Sequence, residues 1–357
     1  MNPPRSDRPL GVALVGTGMW AGQIAAAARR AGARVVTCFS RDAERRRAFA
    51  QRAGCGAAPS LEVALEHPEV EAALILTPND THAEIAVACA ERGLGVFVEK
   101  PIADTVADAE RIASACEGAG VALVVGHAFR RLGAARRVGE LIAAGDLGQV
   151  VLAEATFSLP GALTPDRPPS TATTGHTPLW GKPGGPWRAH RERNPGGPLM
   201  QLGIHHVDTL ASWLGEPVAA TGRFARLHTE ADIDDVGVVT LQMASGSLAA
   251  VTGSYVSPKT FAIRLSGTRA VLDYRADFSV WPDAQRLDAV TTLTLDGEPV
   301  TFEERDMLAE QLAELGRCVR TGAAPETGGA EGIAALRAIR AALEASERDG
   351  AWQPAPR

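Results

Sequence analysis

The stretch LGVALVGTGMWAGQIAAAARRAG, Leu10 to Gly32, decides the fold. Its first six residues form a continuous apolar run, which reads as a strand buried on both faces. GTGMWA, Gly16–Ala21, ends that strand and opens an amphipathic helix. The spacing is G-x-G-x-x-A. Gly16 permits a tight turn, Gly18 lets backbone approach a pyrophosphate, and small Ala21 lets the helix pack closely on the strand. The helix N-terminus then offers free N–H groups and a positive dipole to phosphate. Strand, turn and helix in this order predict a dinucleotide site, with Thr17, Met19 and Trp20 completing the turn.

The same alternation continues outward. ARVVTCFS, EAALILTP, LGVFVEK and VALVVGH are further short apolar runs, separated by RDAERRRAFAQRAG, NDTHAEIAVACAERG and TVADAERIASACEGAG. Each intervening stretch has helical periodicity and ends in or beside glycine, which favours a helix C-terminus. Strict β/α alternation predicts a doubly wound parallel sheet over residues 1–127. The second strand ends at Ser40, where an acid commonly holds the adenosine ribose, and Arg41 follows. A short hydroxyl beside a guanidinium suits a 2′-phosphate, so NADP is expected over NAD; Asp42 is the alternative ribose contact.

Two more segments leave strands at their carboxyl ends, where ligands bind in such sheets. TPNDTH brings Thr77, Pro78, Asn79 and His82, with Asn79 or Asp80 equally readable as a helix cap. VEKPIADT brings Glu99 and Lys100, with Pro101 restricting the chain beside the lysine. GHAFRR adds His127, Arg130 and Arg131 after the next strand.

Beyond His127 the pattern changes. One helix and one strand lead into a long Pro-, Gly- and Thr-rich segment, Pro160 to Pro198, which includes Trp187 and Arg188. Trp187 and Arg188 could cover the cofactor and bind an anionic or polyhydroxylated substrate. Then comes GGPLMQLGIHHVD, Gly196–Asp208. If helical from Leu199, it projects Gln201, His205 and Asp208 from one face at i, i+4 and i+7, with His206 rotated away. PVAATGRFARLH, DVGVVTLQM, GSLAAVTGSYV, FAIRLSG and RAVLDYR follow at hairpin-like spacing and predict an antiparallel sheet. DVGVVTLQM and GSLAAVTGSYV read as apolar on both faces, one for helices and one for a second subunit, so a homodimer or homotetramer is expected. Two helices close the chain, and residues 128–357 are expected to form one α+β substrate and oligomerisation domain.

Composition narrows the function classes. With 357 residues, two domains are the natural expectation, and 45% hydrophobic with 22% charged residues matches a globular enzyme. The formal charge of −6 argues against nucleic acid. Five scattered cysteines without C-x-x-C spacing suit reduced thiols and suggest no metal site. No apolar run approaches a membrane span and the N-terminus lacks a signal-peptide core, so a cytoplasmic protein is expected.

Taken together, GTGMWA, TPNDTH, VEKPIADT, GHAFRR and GGPLMQLGIHHVD resemble the Gfo/Idh/MocA oxidoreductases over nearly the whole chain. The resemblance implies an N-terminal Rossmann domain, a C-terminal open antiparallel sheet, and a substrate held between sheet edge and second domain. It also implies that Lys100 bonds the substrate oxygen and that His205 is the catalytic histidine. The family pattern G-G-x-x-x-D-x-G-x-H has Gln201 in place of its aspartate. An amide can bond or orient but cannot exchange a proton, so acid–base work falls to His205, whose ordinary pKa suits neutral pH. Asp208 is then a candidate to orient His205 or contact substrate, and Arg130, Trp187 and Arg188 to line the pocket. The expected reaction is NAD(P)-dependent hydride transfer to or from a secondary alcohol of a cyclic polyol, sugar or inositol. GHAFRR, PWR and GGPLMQLGIHH also resemble phthalate cis-dihydrodiol dehydrogenases, which makes an aromatic dihydrodiol the alternative substrate. A redox-neutral enzyme on a tightly held cofactor and a non-catalytic cofactor sensor are further alternatives.

Overall fold

The computed structural model describes residues 8–159, 187–278, 283–348 and 353–354. Two compact units divide the chain. The first contains a six-stranded parallel sheet: β1 (Leu10–Val15), β2 (Ala33–Phe39), β3 (Gly56–Ala57), β4 (Ala72–Ile75), β5 (Gly95–Val98) and β6 (Leu123–Val125), in the order β3-β2-β1-β4-β5-β6. β1, β4, β5 and β6 are buried along their full length, as their continuous apolar sequences require. Helices α1 (Ala21–Arg30), α2 (Ala43–Ala53), α3 (Leu61–Leu65), α4 (His82–Ala90) and α5 (Val106–Ala119) connect the strands. Strand order turns back on itself between β1 and β4, so the carboxyl ends of those strands form the switch point where such sheets bind ligands.

The first unit also takes Asp306–Ile333, which the simple division at residue 127 assigns to the C-terminal domain. The reason is packing: α8 (Met307–Thr321) buries Leu308, Leu312 and Leu315 and lies against α1, β5 and β6. Arg30 at the end of α1 pairs with Asp306, 2.6 Å, where α8 begins. α9 (Gly329–Glu347) starts in this unit and ends in the second.

The second unit holds α6 (Gly133–Ala144), α7 (Ile204–Leu214) and a nine-stranded sheet. Its strands are β7 (Val150–Ser158), β8 (Pro217–Ala225), β9 (Val236–Met243), β10 (Leu248–Ser254), β11 (Thr260–Gly267), β12 (Val271–Ala276), β13 (Thr291–Leu295), β14 (Glu298–Pro299) and β15 (Gln353–Pro354). They lie in the order β14-β13-β12-β11-β7-β10-β9-β8-β15, antiparallel except for the β7–β10 pair. β13 and β14 have no counterpart among the strands read from sequence. Their Asp296-Gly297 turn has both residues at positive φ, 50° and 86°.

The two-sided apolar reading of β9 and β10 needs correction. Val239, Leu241, Ala249 and Val251 are buried, whereas the alternate positions carry Val238 and Leu248, 44% and 46% exposed, among Thr240, Gln242 and Thr252. The strands alternate; threonine and alanine on the second face give it an apolar look in sequence without making it a core face. On the buried face, Gly237 of β9 stands directly opposite Gly253 of β10. A Cβ on either would lie 2.9 Å from Leu199, so the paired glycines admit the segment that leads into α7.

Candidate active site

In the first unit, Gly16 has φ 104° and no room for a Cβ, which would lie 2.8 Å from the Leu76 backbone; Gly18 is exposed with open space on that side. The turn is therefore anchored at Gly16 and open at Gly18, where a phosphate needs access to backbone. Met19 is exposed and Trp20 half-buried. Thr17 Oγ1 and Ser40 Oγ are 2.7 Å apart, joining this turn to the end of β2. Asp42, the alternative ribose ligand, caps α2 by accepting the Arg45 N–H at 2.9 Å, a bond that holds its carboxyl below the usual range. Arg41 is exposed beside Ser40, and Arg46 Nη1 donates to the Ser40 carbonyl at 2.6 Å.

At the carboxyl end of β4, Thr77 and Pro78 are half-buried, and Asn79 is 4% exposed in a short 3₁₀ turn (Asn79–Thr81). Its Nδ2 has no hydrogen-bond acceptor among the described residues. A buried amide donor without an acceptor needs a partner to offset its desolvation, and a dinucleotide supplies one. The open Gly18 backbone and the Asn79 amide both fit such a cofactor.

His82 departs from its expected role as a cofactor contact. It is fully buried, with Nδ1 3.2 Å from the Pro101 and Ile102 carbonyls and Nε2 2.9 Å from the Thr77 carbonyl. Burial pushes its pKa down against the pull of those carbonyls. The ring ties the β4 loop to the turn after Lys100. Glu99 and Lys100 are half-buried, and Glu99 accepts from the Trp20 indole at 2.9 Å. His127 is 1% exposed at the end of β6.

In the second unit, the segment before α7 is not regular α-helix. Leu199–Gly203 forms a π-helical turn seated on the paired glycines, and α7 starts at Ile204. This widened turn shifts Gln201 from the phase expected for it, while His205 and Asp208 keep their i, i+3 spacing within α7. Gln201, 5% exposed, accepts from Arg188 Nε at 3.2 Å and donates to Asn194 Oδ1 at 3.1 Å; Asn194 Nδ2 donates to the Arg188 carbonyl at 3.0 Å. Asp208, 1% exposed, takes Arg130 in a two-pronged pair, Nη2 to Oδ1 2.6 Å and Nε to Oδ2 2.9 Å. Arg130 is itself 8% exposed, so both groups brace α7 from within. The expected substrate contacts by Asp208 and Arg130 are corrected accordingly, because their charges are spent on each other below the surface.

His205 is half-buried, and its ring stacks on Phe129 with centroids 4.1 Å apart and 13° between planes. Phe129 belongs to a cluster with Phe157, Phe261 and Phe278. His206 points into the same cluster, 4.6 Å from the Phe261 ring, and burial pushes its pKa down to about 4. Of the two adjacent histidines, His205 alone combines exposure with a fixed ring plane, which proton transfer needs. Trp187 and Arg188 are half-buried, the guanidinium 4.3 Å from the indole centroid, and Arg131 is buried. The part of the Pro-rich segment from 160 to 186 lies outside the described residues. Asn194, which sequence reasoning missed, completes the Gln201 ring of bonds; its only signal was an Asn-Pro-Gly-Gly run before the histidine helix.

Among known proteins, the chain is similar to D-xylose 1-dehydrogenase (NADP(+)) 2 of Haloferax volcanii, with 30% identity over 87% of this chain and 89% of that protein. It is 26% identical to D-xylose 1-dehydrogenase [NADP(+)] of Haloarcula marismortui, over 96% and 93%. The crystal structure of a candidate NADPH-dependent oxidoreductase from Desulfitobacterium hafniense DCB-2 has a TM-score of 0.88 at 31% identity, covering 97% of this chain and 98% of that one. Residues 10–127 match the oxidoreductase family with an NAD-binding Rossmann fold, and residues 135–273 match the GFO/IDH/MocA C-terminal domain. With the dinucleotide turn in one unit and the histidine helix on an open sheet in the other, the chain belongs to the Gfo/Idh/MocA oxidoreductases.

Proposed function

We propose that the protein oxidises a hydroxyl of a cyclic sugar, an aldose in its ring form, with NADP as preferred cofactor. The observation that carries this reading is His205: a half-exposed imidazole, its plane fixed by Phe129, on a helix braced by the buried Arg130–Asp208 pair. Such a base accepts the hydroxyl proton as the carbonyl forms. Lys100 supplies a positive charge to the developing alkoxide, which lowers the barrier to losing that proton. Bound NADP supplies the hydride acceptor, held by the Gly16–Trp20 turn, Ser40, Arg41 and Asn79. Gln201 acts by holding Arg188, whose guanidinium offers donors to sugar hydroxyls beside the Trp187 ring.

NADP is favoured because the acid nearest the end of β2, Asp42, is engaged as a helix cap, and hydroxyls and arginines stand beside it where the ribose would be read. The NADP dependence named for both xylose dehydrogenases supports the same choice, and the aldose they are named for supports an aldose over an inositol or dihydrodiol.

The test is an absorbance assay of reduced nicotinamide, with each cofactor and a panel of aldoses, inositols and cis-dihydrodiols. Aldose turnover is expected, with NADPH bound at least tenfold more tightly than NADH, about 1.4 kcal/mol. His205→Ala should lower turnover by about two to four orders of magnitude with cofactor affinity nearly unchanged. Normal turnover by that variant, or oxidation of dihydrodiols and no aldose, would overturn the reading.

A further inference from the structure

We infer that Trp20 is a positioning residue for Lys100, acting through the carboxylate of Glu99. The inference rests on the reading of Lys100 as the charge beside the reacting oxygen, and it concerns the first unit alone. Trp20 is the last residue of the dinucleotide turn, immediately before α1. Its indole Nε1–H donates to Glu99 Oε1 at 2.9 Å. The other carboxylate oxygen, Oε2, accepts the backbone N–H of Lys100 at 3.2 Å. One carboxylate thus bridges the turn that faces the cofactor phosphates and the backbone that carries the lysine.

The surroundings are shaped for that bridge. Gly126, one residue beyond β6, leaves only tight room for a Cβ, which would lie 3.2 Å from Glu99 Cδ, 3.3 Å from its Cα and 3.1 Å from Phe97 Cζ, so these atoms would have to give slightly. A side chain there would press directly on the carboxylate. On the other side of Lys100 in the chain, the His82 ring lies against the Pro101 and Ile102 carbonyls. The lysine therefore sits between two held points, one reached from β1 through Trp20 and one reached from β4 through His82. A packing role would need only the indole's bulk. The bridge needs its N–H, and a charge-assisted bond of this kind has both direction and strength. Lysine carries a flexible four-carbon stem, so fixing its backbone is the means by which the fold limits where the ammonium can go.

Trp20→Phe keeps the aromatic plate and removes only the N–H. With the preferred aldose and NADP, kcat is expected to fall by about tenfold to hundredfold, while KM and NADPH affinity stay within about twofold, since misplacement of a catalytic group by about 1 Å can cost that much. Glu99→Gln can still accept from Trp20 but presents an amide N–H₂ where Lys100 needs an acceptor, and should show a similar loss. The double variant should be no slower than the slower single one, because both act through one carboxylate. A second readout needs no turnover. The sequence has three lysines, so reductive ¹³C-methylation yields few signals, and the Lys100 signal is identified by its absence in Lys100→Met. That signal should move in the same direction in Trp20→Phe and in Glu99→Gln. Additive losses in the double variant, or a Lys100 signal unmoved in the folded single variants, would overturn the inference. If the wild-type protein oxidises no aldose but the Lys100 signal responds as expected, the proposed substrate is wrong and the coupling stands.

Discussion

Asp208→Ala is expected to destabilise the second unit by about 3–5 kcal/mol, the cost of leaving one member of a buried ion pair without its partner. The size of the effect follows from burial. An exposed Arg–Asp pair contributes about 0–1 kcal/mol because water screens it and the side chains give up entropy to meet. Here the Asp208 side chain is 1% exposed and that of Arg130 8%, and two short N–H···O bonds satisfy both carboxylate oxygens. Removing the carboxylate leaves the Arg130 guanidinium inside with the Asp208 carbonyl, 3.2 Å away, among its acceptors. For a domain of about 150–250 residues 1 kcal/mol moves the melting midpoint by about 2–4 °C, so a fall of about 6–20 °C should appear in differential scanning calorimetry. Asp208→Asn, which retains an acceptor and the shape, should cost less. Arg130→Met/Asp208→Leu, which removes both charges, should recover most of the loss. If Asp208→Ala melts within about 2 °C of the parent but raises the sugar KM, Asp208 touches substrate and the argument from burial is wrong.

Three further outcomes follow from the second unit. The His206 pKa of about 4 means that, as pH falls from about 6.5, the unfolded chain binds a proton that the folded chain refuses. Stability should therefore drop by about 3 kcal/mol between those values, and urea midpoints at both ends of the window should show a shallower drop in His206→Phe. Gln201→Asp exchanges a bond given to Asn194 for a charge facing Arg188, so stability within about 1 kcal/mol of the parent and retained turnover are expected; a loss above about 3 kcal/mol would mark the niche as intolerant of charge. Val238, Leu248 and Leu152 are exposed on the nine-stranded sheet, with Leu248 and Leu152 in register on neighbouring strands, and a dimer or tetramer is expected by light scattering after gel filtration. A clean monomer at micromolar concentration would refute it.

What could be read from sequence divides along physical lines. β1, β4, β5 and β6 were legible because a strand buried on both faces needs an uninterrupted apolar run, β2 because its Val-Val-Thr-Cys-Phe run is still mostly apolar, and glycines mark the helix ends between them. β13 and β14 were legible in principle: TTLTLDGEP alternates around an Asp-Gly pair, a strong hairpin signal, and the alternation of Thr with Leu is easily mistaken for loop. The packing of α8 with the first unit was not legible, since an amphipathic pattern says that one face is buried without naming what buries it.

The histidine helix shows the same limit at the level of single side chains. Its sequence carries Gln, His and Asp at helical spacing, and a 3.6-residue period is the natural reading. The departure to a π turn originates in two strands, where Gly237 and Gly253 face each other and let Leu199 sink against the sheet. Strand-interior glycines are a signal that another segment approaches closely, but which segment depends on contacts far apart in the chain. Arg130 and Asp208 are likewise 78 positions apart, and only their meeting turns two candidate pocket charges into one neutral brace. A motif therefore marks the residues that matter to a site, and burial assigns them their parts. The buried ion pair of Arg130 and Asp208 holds the scaffold, and the half-exposed His205 and Lys100 are the residues to which the proposed function assigns the chemistry.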